Sequence, residues 1–103
     1  MPEHPVELAR RRARRLRASG NYRKAALALR EWVRHTDAPQ AWVAFGAMLA
    51  RARRNEQALQ ALREGLWRFR RQGELARARS VARLILTMDP TDVRAGRVAG
   101  LAV

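Results

Sequence analysis

Cysteine is absent from these 103 residues, which excludes a disulfide scaffold, a thiolate nucleophile and a thiolate metal site, and fits a reducing compartment. Acids are scarce: nine face 21 arginines and a single lysine, so the formal net charge is +13. Six glycines and four prolines, with few β-branched residues, leave helix favoured nearly throughout. Long apolar runs are missing too. "LILTMDP" is far too short to span a bilayer. The opening "MPEHPVELARRRARRLR" lacks the hydrophobic stretch of a signal peptide. A cytoplasmic protein that does not insert into membranes is expected.

Catalytic groupings are also lacking. His4 and His35 are the only histidines. His4 falls in what reads as a flexible leader, residues 1–5, and His35 falls at a helix end, where it serves the dipole. No H-E-x-x-H, glycine-rich phosphate loop or G-x-S-x-G occurs, and Ser19 and Ser80 have no histidine partner suggested by the sequence. The acids read as surface pairs at helical spacing: Glu31 with Arg30 or Arg34, Glu56 with Gln60, Glu64 with Arg68. A non-enzymatic protein without metal or cofactor is expected.

What is present in quantity is alanine, 20 residues of it, which suits helices packed closely around a thin core. Apolar residues recur at spacings of three and four over roughly residues 6–18, 22–35, 39–52, 56–71 and 74–87. The breaks are "SGN", "DAP", "RRN", Gly73 and "DPT". Gly20 can close its helix in the left-handed conformation. Asp37 or Ala38 caps the third helix, with Pro39 in its first turn. Asn55 can cap the fourth, and Thr91, with Asp92 behind it, a short last segment. Connections this short make successive helices antiparallel neighbours. Residues 6–103 form one all-α domain of five to six helices.

Ala25 and Ala58, each early in the second helix of a pair, lie 33 residues apart. Trp42, Phe45, Gly46 and Leu49, followed by Ala58 and Leu62, resemble the W, L, G, Y, A and F positions of the tetratricopeptide repeat. Gly20, Tyr22 and Ala25 match its turn spacing, and Gly73, Leu75 and Ala78 repeat it. Trp32 stands where that family prefers alanine. The resemblance implies an α-solenoid of stacked antiparallel helix pairs, ending in an incomplete unit that uses Gly96, Ala99, Gly100 and Val103. One interval departs from the family: Ala58 to Ala78 is only 20 residues, so either a repeat is shortened and the fourth helix closes one unit and opens the next, or the third unit only approximates the family.

The expected core is Leu16, Tyr22, Leu29, Trp42, Phe45, Leu49, Leu59, Leu62, Leu66, Phe69, Leu75, Val81 and Ile85. Trp67 lies off the apolar stripe and is either half-buried against a neighbouring helix or an interface anchor. The run "RRRARRLR" reads as a solvated helix surface or, if the first helix lines the concave face as the resemblance implies, as one side of a groove. In the second case Arg10, Arg14 and Arg17 share a stripe. Val43, Ala47 and Ala50 then form the floor, Arg51 the rim, and Arg94 and Arg97 take corresponding places in the last segment.

Arginine rims around an apolar floor suit an acidic, partly apolar protein segment. The leading expectation is therefore an interaction module or adaptor, of which a small chaperone for a secretion-apparatus subunit is one form. The C-terminal face, with Leu101 and Val103, offers a route to a homo-oligomer. Nucleic-acid binding is the alternative; charge favours it, and the scarcity of interleaved aromatics weighs against it.

Overall fold

The computed structural model describes residues 4–101, which form six α-helices and no strand. In chain order these are α1 (Pro5–Ala18), α2 (Tyr22–Arg34), α3 (Pro39–Arg51), α4 (Asn55–Arg71), α5 (Leu75–Met88) and α6 (Val93–Ala99). Val103, expected in the final partial unit, lies outside the described residues. The first helix starts inside the expected leader: His4 is its N-cap, and its Nδ1 accepts a hydrogen bond from the Val6 N–H at 3.1 Å.

The turns after α1, α3 and α4 are built alike. Gly20, Arg53 and Gly73 all take the left-handed conformation, with φ of 79°, 65° and 72°. In each turn the next residue donates back across the helix end, Asn21 to Leu16 O, Arg54 to Leu49 O and Glu74 to Phe69 O, at 2.8 to 3.0 Å. The left-handed residues themselves donate to Arg17 O, Ala50 O and Arg70 O, which completes three Schellman motifs. The next helix then carries Ala25, Ala58 or Ala78 as its fourth residue, each without exposed surface. The same local unit thus recurs after 33 residues and again after 20.

Each helix packs substantially only on its neighbours in sequence. The chain folds as a zigzag, with α1, α3 and α5 in one layer and α2, α4 and α6 in the other. Its dimensions of 45 × 28 × 18 Å leave depth for two layers of helices, whose axes pack about 8–10 Å apart. This is an all-α stack of helical-repeat type, and the short interval has a simple reading within it. The fourth helix closes the pair begun by α3 and opens the pair completed by α5.

Two apolar clusters meet on α4. The first joins Ala13, Ala25, Ala26, Leu29, Met48 and Leu49 to Ala58 and Ala61. The second joins Leu62, Leu66 and Phe69 to α5 and α6 through Ala78, Val81, Ala82, Ile85, Ala95 and Val98. Seven of the expected core residues are buried: Leu29, Leu49, Leu62, Leu66, Phe69, Val81 and Ile85. Leu16, Tyr22, Trp42, Phe45, Leu59 and Leu75 are only half-buried. Same-layer helices scarcely touch, so large side chains between them keep one side open, while many of the fully buried positions are alanines.

The tightest packing is between α3 and α4. A Cβ added at Gly65 would lie 2.7 Å from Val43 Cγ2, and one at Gly46 would lie 2.9 Å from Leu62 Cγ and 3.2 Å from the Ala58 carbonyl oxygen. Mid-helix glycine costs about 1 kcal/mol in propensity relative to alanine, and close approach explains its presence here. A side-chain clamp then ties α4 to the turn before α6. Arg63 Nε donates to Asp92 Oδ2 at 2.9 Å and its Nη2 donates to Asp89 Oδ2 at 3.3 Å. Asp92, rather than Thr91, caps α6, its Oδ1 accepting from the Ala95 N–H at 2.9 Å. That N–H lowers the Asp92 pKa most; burial opposes it, and Arg63 lowers it further.

Three outcomes follow from this packing. Gly65→Ala is expected to destabilise by on the order of 1–3 kcal/mol, because overpacking against β-branched Val43 exceeds the gain in propensity. Arg53→Gly is expected to raise stability by about 0.5–1 kcal/mol, because relief of a left-handed non-glycine residue outweighs the added chain entropy. Both are read from urea midpoints at unchanged slope. Asp92 has a folded pKa below its unfolded value, so its contribution is full above about pH 4 and is lost as pH falls through the folded value. Stability measured from pH 7 down to about pH 2 should fall more steeply in the wild type than in Asp92→Asn, which keeps the cap and lacks the titration.

Candidate functional site

The zigzag leaves a furrow between same-layer helices on each face, and α3 presents a different side to each. At about 100° per residue, Ala44, Ala47, Met48 and Arg51 point one way and Trp42, Phe45 and Leu49 the other. The two sets line two separate cavities.

The first is a groove of about 320 Å³ between α1 and α3, with α2 beneath. Its floor is Ala13, Leu29, Trp32, Ala44, Ala47 and Met48, and its rim is Arg10, Arg14, Arg17 and Arg51. The arginine stripe follows from α1 itself: residues four and three apart share a face, and Ala13 turns the opposite edge of that face into the core. Arg10 lies over the Trp32 ring at 4.3 Å and 3.7 Å from Glu7. Arg51 lies over the Tyr22 ring at 5.2 Å and donates to its hydroxyl at 3.1 Å. Arg14 and Arg17 have no ion-pair or hydrogen-bond partner among the described residues. No side-chain amide or hydroxyl lines this groove.

The second cavity is a trough of about 790 Å³ on the other face, bounded by α2, α3, α4 and α6. Trp42, Phe45, Leu49 and Ala61 form its apolar part. Gln57, Gln60, Glu64 and Trp67 run along α4 beside it, with Arg30, Arg63 and Arg94 around them. Trp67 is 47% exposed, with Arg71 over its ring at 4.8 Å. The Trp42 ring carries Arg68 at 5.1 Å, and its buried Nε1–H has no acceptor among the described residues. Arg68 in turn pairs with Glu64 and Asp37, each at 3.3 Å. Glu31 pairs with His35 at 2.9 Å instead of Arg30 or Arg34, which leaves Arg30 without an acidic partner among the described residues.

Of the residues singled out in the sequence, Arg10, Arg14, Arg17, Ala47 and Arg51 therefore come together in the groove. Val43 turns instead into the contact with Gly65, and Ala50 packs against the first cluster. Trp67 and Arg94 stand on the opposite face, in the trough, because the opening-helix role passes from odd to even helices at α4. Arg97 is exposed and lines neither cavity. Sequence reasoning missed Trp32 as a floor residue, although a tryptophan at a position that usually holds alanine was the available signal. Gln57 and Gln60 carried no signal until α2 and α6 were seen beside them.

No group of three or more His, Asp or Glu side chains that could hold a metal occurs among the described residues, and none of their helices is long and apolar enough to cross a membrane. No protein-family model matches the chain, and no curated protein does.

Proposed function

We propose that this protein is a non-enzymatic interaction module that binds an acidic, partly apolar protein segment in the groove between α1 and α3. The observation that carries the reading is the state of the rim: Arg14 and Arg17 are unpaired cations beside an apolar floor. Guanidinium forks match carboxylates in bidentate geometry, and the floor takes the segment's apolar side chains. Because no amide, hydroxyl or carboxylate lines the groove, the N–H groups of an extended main chain would find no side-chain acceptor there. An amphipathic helix, with its main chain already satisfied, fits better. The net charge of +13 speeds encounter with such a partner.

A fluorescein-labelled helical peptide with glutamate and leucine at spacings of three and four tests this reading. Replacing Arg10, Arg14 and Arg17 together by glutamine is expected to weaken binding at least about tenfold, roughly 1.4 kcal/mol. The same replacement at Arg12, Arg15 and Arg83, none of which lines the groove or the trough, should change it less than about twofold at the same net charge. Equal losses in the two triple variants would contradict the reading and indicate general attraction to polyanions, for which geometry matters little. A single-stranded oligonucleotide titrated in parallel at about 0.15 M salt measures that attraction directly.

A further inference from the structure

The trough differs from the groove in chemistry, and the difference indicates a different ligand. Gln57 and Gln60 are exposed, lie on the same face of α4 and have no hydrogen-bond partner among the described residues. Each side-chain amide offers one acceptor and two donors. A helical ligand has few free main-chain groups to meet them, whereas an extended segment presents an unpaired N–H and C=O at every residue. Arg30 and Arg94, also unpaired, stand on α2 and α6 at opposite borders of the trough. Half-exposed Trp67 gives an apolar anchor at one end.

We infer that the trough is a second binding site, which takes an extended, carboxylate-bearing polypeptide segment. Gln57 and Gln60 hold its main chain, Arg30 and Arg94 its acidic side chains, and Trp67 an apolar one. A second copy of this chain is a poor occupant, since each copy carries +13. The inference does not depend on the groove having the ligand proposed above. If both sites operate, they lie on opposite sides of α3 and can be filled together, so the protein joins two acidic segments.

The test uses a labelled peptide of repeating Asp-Pro-Leu, which proline keeps extended, titrated against the full chain. Expected are one peptide per chain and a loss of at least tenfold in the Arg30→Gln/Arg94→Gln variant and in the Gln57→Ala/Gln60→Ala variant. Binding should stay within twofold in the Arg10/Arg14/Arg17 glutamine variant and in the presence of saturating helical Glu/Leu peptide. Apart from half-buried Arg10 these side chains are exposed, and far-UV circular dichroism checks that each variant stays folded. Retention of affinity in the Gln57/Gln60 variant, or by a peptide N-methylated along its main chain, would overturn the inference. So would loss of binding in the groove variant. A single-stranded oligonucleotide that displaces the peptide and loses affinity in Trp67→Ala would reassign the trough to nucleic acid. Failure of the groove reading would instead show only in the helical peptide's titration.

Discussion

The close approach of α3 and α4 governs the rest of this structure. Gly46 and Gly65, two small positions on facing helices, let Leu62 and Val43 press against backbone. That contact fixes α4 against α3 on one side while Leu62, Leu66 and Phe69 join the cluster shared with α5 and α6. In an ordinary helical-repeat array each pair opens with a helix in the same layer. Here a single helix belongs to two successive pairs, so the layer that opens a pair changes at α4. The zigzag leaves one furrow on each face, and the two differ in composition.

The concentration of arginine is handled by the same few rings. Each tryptophan and the one tyrosine carries a guanidinium over its face, at 4.3 to 5.2 Å. Such contacts are worth roughly 0.5–1 kcal/mol at exposed sites, and the arginine stems cover apolar surface that a small domain cannot bury. Some acids tie elements together, Asp89 and Asp92 on Arg63 and Asp37 on Arg68, while Glu64 pairs with Arg68 within α4. Of the many cations without an acidic partner among the described residues, Arg14 and Arg17 line one furrow and Arg30 and Arg94 the other. Their position along the two furrows is the basis for placing ligands there.

Much of the architecture was legible because local chemistry marks the helix ends. Gly20 and Gly73 announce left-handed turns, and Pro39 and Pro90 bound helices, so the first five segments could be drawn to within about a residue or two of their observed ends, while α6 ends at Ala99, short of the segment expected to run to Val103. The third left-handed turn was not readable from composition, because Arg53 holds the position that glycine holds in the other two. The break at "RRN" was readable there, but not which residue would turn left-handed. The double duty of α4 was visible as a 20-residue interval, but its consequence for the faces was not. Facing direction depends on layers, so Arg94 and Arg97 could not be assigned to a furrow from spacing alone. Burial was misjudged for Trp42 and Phe45, since a hydrophobic stripe does not reveal that same-layer helices stand apart.

The central claim is that α4 is the shared element on which both halves depend. Native-state amide hydrogen exchange tests it most directly, because it resolves which helices open together. If the claim holds, amides of α4 around Leu62 and Leu66 exchange slowest and only through global unfolding. The outer helices α1 and α6 should open first, each without releasing α4. Exchange of α4 together with α5 and α6 while α1 to α3 remain protected, or the reverse, would show two independent halves and contradict the account.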